Sequence, residues 1–331
     1  MKGLLAIALI LLLAGAGGLW WQTRPPSEEA APVRITVEPG TSVRAIGRRL
    51  EDEGVVRSAL LFEAWVRARG DAGRIQAGTY ELPRDRSLPA VVEALVEGRT
   101  ILVAVTVPEG YRLEQTAAAV ARALPVDSAA FIAAVTDPAL VDSLLPDSLV
   151  GAGAVTLEGY LFPETYRVDP SIGTRDLTRL MVAHFWREFG PSWRARADSL
   201  GRSVHEIVTL ASIVEEEARV PDERTVIAGV FWNRLDIGMP LEADPTVQYS
   251  LGGHRERVLY RDLEVDSPYN TYRVAGLPPG PISSPGRSAL EATMWPDSVP
   301  YLFFFATGEG GRHTFSETFA EHNRKRREMN R

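Results

Sequence analysis

The chain has 331 residues, 45% of them hydrophobic and 24% charged, a globular balance that excludes disorder, collagen-like repetition and a polytopic membrane protein. A net charge of −7 gives no reason to expect a nucleic-acid partner, and the absence of cysteine removes disulfides, thiolate metal sites and cysteine nucleophiles together. The five histidines are too scattered for a metal-binding helix, and the only lysines, Lys2 and Lys325, leave no core position for a pyridoxal-phosphate Schiff base, so neither metal nor cofactor is expected.

Residues Gly3 to Trp21 are uncharged and almost wholly apolar, with Lys2 before them and Gln22, Thr23 and Arg24 after. At about 1.5 Å per residue the run spans roughly 28 Å, close to a hydrocarbon core. Trp20 and Trp21 fall where an aromatic belt holds the exit interface. Residues 1–22 are therefore expected to form a transmembrane anchor. The competing reading is a cleaved signal peptide, because Ala14-Gly15-Ala16 has the small-residue pattern of a cleavage site; the paired tryptophans and the length of the run favour the anchor. Either reading exports the rest. The expected location is a bacterial cell (inner) membrane, single-pass, with the remainder on the periplasmic or extracytoplasmic side. Residues 23–32, rich in Pro, Glu and Ala, read as a linker.

Residues 33–125 carry compact αβ punctuation. Arg34 to Val37 alternate as a strand, Pro39-Gly40 turn the chain, and Ser42 caps a helix to about Glu53 with Val43, Ile46 and Leu50 on one face. A second helix is predicted over Ser58 to Ala68, a strand over Gly78 to Leu82 and a helix over Leu88 to Glu97. The spacing of Thr36-Val37, Gly40, Val43 and Leu50 recurs in Thr106-Val107, Gly110, Leu113 and Val120, a second strand–turn–helix opening. Val33 to Arg99 resembles a LysM module, in one or two copies across the region. That resemblance implies binding of N-acetylglucosamine, although no marked aromatic platform for a sugar is present. Residues 126–156 read as a helical spacer.

The densest chemistry lies in 157–331. Ser203 and Glu206 make a capping box, and Ile207, Leu210, Ala211, Val214 and Ala218 form an apolar stripe on the helix that follows. Glu215, Glu216 and Glu217 close this helix ahead of Pro221. A glutamate run near a helix end is by itself a solvated patch. Negative charge there opposes the helix dipole, however, so three such charges in one turn ask for a reason. At about 100° per residue, Glu216 points away from the stripe, beside Thr209 and Ser212 on an expected wet face. Glu215 and Glu217 flank the stripe, and either is placed for partial burial and a raised pKa.

A helix is predicted over Asp222 to Leu235, with Val226, Ile227, Val230, Phe231 and Leu235 inward and Gly238 ending it. Asp244 before Pro245 is expected to cap a short helix presenting Thr246, Gln248 and Tyr249. Tyr269, Asn270 and Tyr272 set an amide between two aromatic rings, a combination suited to sugars, whose axial hydrogens stack while their hydroxyls pair. A helix follows from about Ser288, then a buried strand over Tyr301 to Ala306. Gly308 to Gly311 turn that strand back through His313, Thr314 and Phe315, and Thr318 with Glu321 caps the last helix.

Several ordered motifs resemble the YceG-like family of endolytic murein transglycosylases. They are Leu157-Glu158-Gly159-Tyr160-Leu161-Phe162-Pro163-Glu164-Thr165-Tyr166, Ala211-Ser212-Ile213-Val214-Glu215-Glu216-Glu217, Asn233-Arg234-Leu235, Asp244-Pro245-Thr246-Val247, Tyr269-Asn270-Thr271-Tyr272 and Gly276-Leu277-Pro278-Pro279-Gly280. The closing segment from Phe304 to Asn323 fits as well. The resemblance implies an α+β chain: transmembrane helix, LysM-like module and a mixed α/β catalytic domain. It implies non-hydrolytic cleavage of the β-1,4 bond between N-acetylmuramic acid and N-acetylglucosamine in nascent glycan strands, leaving 1,6-anhydro ends. It places the catalytic glutamate on Glu217. Glu216, where relatives carry a lysine, makes the local field more negative here. Asp244, Thr246, Gln248, Tyr249, Tyr269, Asn270, Tyr272 and Glu164 are the expected groove residues; Glu164, Asp244 and Glu215 are the candidates should a second carboxylate be needed. Partners implied are peptidoglycan strands and peptidoglycan synthases. A non-catalytic, membrane-anchored glycan-binding scaffold is the alternative.

Overall fold

The computed structural model describes residues 17, 20–28, 30–150, 155–253, 258–308 and 310–329. Most of the expected anchor, Gly3 to Trp21, lies outside them. Among the described residues no helix is long and apolar enough to cross a membrane. The chain divides into two compact units: Met1–Ala104 with Arg167–Ile172, and Val105–Tyr166 with Gly173–Arg331. The second strand–turn–helix opening, from Thr106, therefore belongs to the second unit.

The first unit runs β1 (Pro32–Val37), α1 (Val43–Asp52), α2 (Ala59–Ala68), β2 (Gly78–Pro83) and α3 (Leu88–Glu97). Ser42 starts α1 by accepting the Ala45 N–H at 3.3 Å, and Ser58 starts α2 by accepting that of Leu61 at 3.4 Å. β1 and β2 pair antiparallel with Ile35 opposite Tyr80, which turns Ile35, Val37, Tyr80 and Leu82 onto one buried face. Against that face pack Ile46 and Leu50 of α1, Phe62 and Val66 of α2, and Val91, Val92 and Leu95 of α3. The returning segment is fastened by Asp169, whose Oδ1 accepts the Thr79 hydroxyl at 2.8 Å.

Strand β3 (Val103–Thr106) pairs with β4 (Thr165–Val168). Between them lie α4 (Leu113–Ala123), α5 (Ser128–Val135), α6 (Pro138–Leu144) and α7 (Asp147–Val150), the last three within residues 126–156. After β4 come α8 (Thr174–Glu188), α9 (Pro191–Ser199), α10 (Val204–Glu217), a 3-10 turn at Pro221–Glu223 and α11 (Arg224–Asp236). Then follow α12 (Asp244–Ser250), a 3-10 turn at Tyr260–Glu264, α13 (Arg287–Met294), the hairpin β5 (Phe303–Ala306) and β6 (His313–Ser316), and α14 (Phe319–Met329).

The second unit is organised around α10. Both halves of its capping box are present: the Ser203 hydroxyl accepts the Glu206 N–H at 3.1 Å, and the Glu206 carboxylate accepts the Ser203 N–H at 2.7 Å. Every residue from Ile207 to Val214 is buried, Thr209 and Ser212 included, so α10 has no wet face along this stretch. The polar residues are absorbed locally. Ser212 donates to the Thr209 carbonyl at 2.7 Å and accepts the Ile282 N–H at 3.0 Å. An edge-to-face aromatic series, Tyr160 to Phe185 and Phe189 to Trp193 to Trp295, links the first segment of the unit to α8, α9 and the end of α13.

Three expectations change here. The helix after Pro221 opens with a 3-10 turn and is buried on nearly all sides. The strand expected over Tyr301 to Ala306 is shorter and half-buried. Asp244 does not cap α12: Ala243 holds the cap position and Asp244 opens the first turn, which frees its carboxylate for another partner.

Helix α11 approaches its neighbour at Gly229, where an added Cβ would lie 2.6 Å from the carbonyl oxygen of Asp297. That loop cannot retreat, because Asp297 donates its N–H to the Thr225 carbonyl at 3.1 Å and accepts the Thr225 hydroxyl at 3.0 Å. Gly229→Ala is expected to cost about 1–3 kcal/mol of stability by overpacking, read as a lower denaturation midpoint.

Candidate active site

The three glutamates that end α10 separate into three environments. Glu215 is spent on structure: its Oε1 pairs with Arg224 at 2.9 Å and its Oε2 accepts the Gly286 N–H at 2.9 Å. Glu216, expected in solvent, is half-buried beside Arg112 and Ser283, and burial raises its pKa first of all. Opposite it Gly110 takes φ 76°, a conformation that favours glycine, and lies close enough that an added Cβ would stand 2.8 Å from the Glu216 Oε1 unless that side chain moved. Glu217 carries neither kind of structural duty. Burial, and next the Asp244 carboxylate, push its carboxyl up to about 7, against the opposing pull of Arg219 and Arg234. Of the two flanking glutamates, one is locked in an ion pair. The other is a half-buried acid poised near neutrality.

The second carboxylate reaches Glu217 through a chain of backbone constraints. Asp244 accepts the Tyr272 hydroxyl at 2.6 Å, and the Tyr272 N–H is held at 3.1 Å by the Asn270 side-chain oxygen. Two residues before Asp244, Glu242 takes φ 49°, the one non-glycine in the left-handed region among the described residues. Its N–H donates to the Thr271 carbonyl at 3.1 Å, and its carboxylate lies 3.6 Å from Arg234. Arg234 is buried, so its guanidinium is surrounded by acceptors: the carbonyls of Leu302 at 2.6 Å and Leu241 at 2.7 Å. It therefore fixes the turn that aims Asp244, and it also stands as a cation near Glu217 and Tyr272. The strained turn is held from two sides, by Arg234 and by the Thr271 carbonyl.

A second cluster sits at the other end of α12. Tyr249 and Tyr269 have ring centroids 4.8 Å apart, and the Arg112 guanidinium lies 5.3 Å from the Tyr249 ring. Beneath them Glu158 is 3% exposed; its Oε2 accepts the Leu113 N–H at 3.2 Å and lies 3.5 Å from the Tyr249 hydroxyl. Burial pushes the Glu158 carboxyl up to about 8. A cavity of about 10 Å³ adjoins it, lined also by Thr156, His205, Tyr269 and Gly280. His205 Nε2 donates to the Pro279 carbonyl at 2.8 Å, leaving Nδ1 to accept from the Tyr160 hydroxyl at 2.7 Å.

Asp244, Tyr272 and Glu217 are thus brought together, and Tyr249, Tyr269 and the half-buried Gln248 belong to the same short helix and its neighbour loop. Two expected groove residues are behind the surface. Thr246 and Asn270 are fully buried. Thr246 bonds the Ala243 carbonyl and the Thr271 hydroxyl, while the Asn270 amide donates to the carbonyls of Leu263 and Val265. They shape the loop that carries Tyr269 and Tyr272 and cannot touch a sugar. Glu164 is exposed at the start of β4, and its Oε1 accepts the N–H of Thr165; it is not part of the Glu217 cluster. Spacing arguments missed Glu158, Arg234, Glu242 and His205. Glu158 and Arg234 lie inside the motifs quoted above, and an unpaired charge amid apolar residues was the signal available.

A family model described as the YceG-like family matches residues 35–328. The chain is 39% identical over 302 residues to an endolytic murein transglycosylase of Bacillus subtilis, covering 88% of this chain and 83% of that one. It is 31% identical over 319 residues to an endolytic murein transglycosylase of Streptococcus pneumoniae, again over 88% of this chain but 57% of the longer relative. The crystal structure of a YceG-like protein from Listeria monocytogenes superimposes with a TM-score of 0.64 at 35% identity, covering 89% of this chain and 99% of that one. With nearly the whole second unit and most of the first inside these matches, the chain belongs to the YceG-like family.

Proposed function

We propose that the chain is an endolytic lytic transglycosylase of peptidoglycan with Glu217 as its single acid/base. The observation that carries the reading is the half-buried Glu217 carboxyl, poised near pH 7 beside the Asp244–Tyr272 pair. Protonated Glu217 gives its proton to the glycosidic oxygen as the bond from muramoyl C1 breaks, and N-acetylglucosamine departs as an alcohol. The resulting carboxylate then takes the proton of the muramoyl 6-hydroxyl as that oxygen closes on C1. No water is consumed. Asp244, relieved of part of its charge by the Tyr272 hydroxyl, supplies the negative field that an oxocarbenium-like centre needs. Tyr249 and Tyr269 offer the stacking faces for neighbouring sugars.

The membrane anchor over residues 1–22, the extracytoplasmic location, glycan binding by the LysM-like unit and work beside peptidoglycan synthases complete this reading. Its support there is the apolar run and the β-α-α-β order of the first unit. The test is to incubate the chain with uncrosslinked glycan strands in isotopically labelled water and identify the new ends by mass spectrometry. Unlabelled 1,6-anhydromuramoyl ends are expected. Labelled reducing ends would make the enzyme a hydrolase, and binding without fragments would leave only a scaffold.

A further inference from the structure

The two outer helix faces of the first unit differ in kind. Helix α1 exposes Arg44, Arg48, Glu51 and Asp52, an ordinary wet face. Helix α2 sends Phe62 and Val66 into the core; on its outer side the exposed Arg67, paired with Glu63, holds one edge, and the residues beside it are Leu60, Ala64 and Ala68, with Leu61 and Trp65 half-covered. Leu60 is 71% exposed. An apolar stripe on the solvent side of an already amphipathic helix needs a partner.

The start of the described chain lies against this stripe. Trp20 and Thr23 join Leu61, Ala64, Trp65 and Ala68 around an apolar cleft of about 450 Å³. Trp20 is 60% exposed and Trp21 53%. The guanidinium of Arg24 stands 3.8 Å from the Trp20 ring, and that of Arg57 stands 4.2 Å from the Trp21 ring. Exposed tryptophans topped by arginines have an apolar body and a cationic tip, the pairing that suits the boundary between acyl chains and phosphate headgroups. The uncharged run that begins at Gly3 ends at these same tryptophans.

We infer that the outer face of α2, together with Trp20 and Trp21, is a lipid-contacting surface that lays the first unit into the headgroup–acyl boundary of the membrane. The inference rests on the anchor reading above and deepens it: the unit lies on the bilayer, with Arg24 and Arg57 at the level of the lipid phosphates, and does not swing free on a tether. Leu60, Ala64 and Trp65 then enter the interface as a short amphipathic helix does, apolar side down.

Because the chain has no cysteine, single labels are unambiguous. The full chain is reconstituted into phosphatidylethanolamine–phosphatidylglycerol vesicles carrying Leu60→Cys, Ala64→Cys, Arg48→Cys or Ile10→Cys, each labelled with an environment-sensitive fluorophore. Lipids bearing nitroxides at shallow or deep positions then serve as quenchers. Labels at 60 and 64 are expected to shift to the blue and lose most of their emission to shallow nitroxides, while the label at 48 responds only to aqueous quenchers. The label at 10 reports the anchor separately, through deep nitroxides. Deep quenching at 10 with aqueous behaviour at 60 and 64 overturns the inference and leaves the anchor standing. Aqueous behaviour at 10 removes the anchor, and the inference with it. Labels at 60 and 64 shielded from both kinds of quencher mean that protein covers the face: the chain's own apolar run if shielding is independent of protein density in the vesicles, a second copy if it grows with density. Either result overturns lipid contact.

Discussion

Glu217→Gln is expected to lower the rate of glycan cleavage by about 10²–10⁴-fold, the usual worth of a positioned acid/base, with little change in strand binding. The amide keeps the shape of the carboxyl and removes only its proton chemistry. The counting of new strand ends over time measures this directly, and a variant that still cut at the parental rate would move the chemistry elsewhere. The pH dependence gives an independent reading of the same group. Bond cleavage needs protonated Glu217, so the single-turnover rate is expected to fall as pH rises through about 7. The position of that descending limb depends on the neighbours in opposite senses. Asp244 raises the Glu217 pKa and Arg219 lowers it. Asp244→Asn is therefore expected to shift the limb to lower pH, and Arg219→Gln, at an exposed side chain, to shift it to higher pH. A merely structural role for either residue would reduce the rate without moving the limb. The two shifts together would identify the titrating group as Glu217.

What the sequence makes legible here is what short range decides. The capping box of Ser203 and Glu206, the serines that start α1 and α2, and the Thr318–Glu321 cap of α14 are fixed by residues three positions apart, and each forms where the pattern puts it. Helical periodicity likewise isolates Glu215 and Glu217 as the two flanking carboxylates. It cannot choose between them, because the choice is made by Arg224 on the next helix and by the Gly286 N–H, seventy-one positions away. The same limit explains the misplaced wet face of α10. A polar residue reads as solvent-facing until a loop such as Ser283–Ser284 arrives to cover it, and Ser212 bonds that loop. Thr246 and Asn270 reverse the lesson. Their residue types suit sugars and buried loop-fastening equally, and only the packing of Thr271 against α12 decides.

Glu158 should make the second unit lose stability as pH rises. Its carboxyl sits at about 8 in the folded chain, from an ordinary value of 4.5, with burial as the main cause. Below pH 4.5 the acid is protonated in both folded and unfolded chains, and it contributes no pH dependence. Between the two values the unfolded chain releases its proton while the folded chain retains it, so the folded state alone must bind a proton that is increasingly scarce. Stability therefore declines across this window and levels off above about 8, where the accumulated penalty is about 5 kcal/mol at 1.36 kcal/mol per unit. Glu158→Gln replaces a neutral acid by a neutral amide of the same outline and keeps the acceptor for the Leu113 N–H. The variant is expected to match the parent near pH 5, to be several kcal/mol more stable near pH 9, and to have a flatter profile, measured as urea midpoints by near-ultraviolet circular dichroism. Glu217→Gln flattens a lower part of the same curve, since its carboxyl is also raised. The two contributions separate because the Glu158 variant should leave the descending limb of the rate in place. Equal losses of stability for parent and Glu158→Gln between pH 5 and 9 would mean that Glu158 is ionised in the folded chain, with the Arg112 charge outweighing burial.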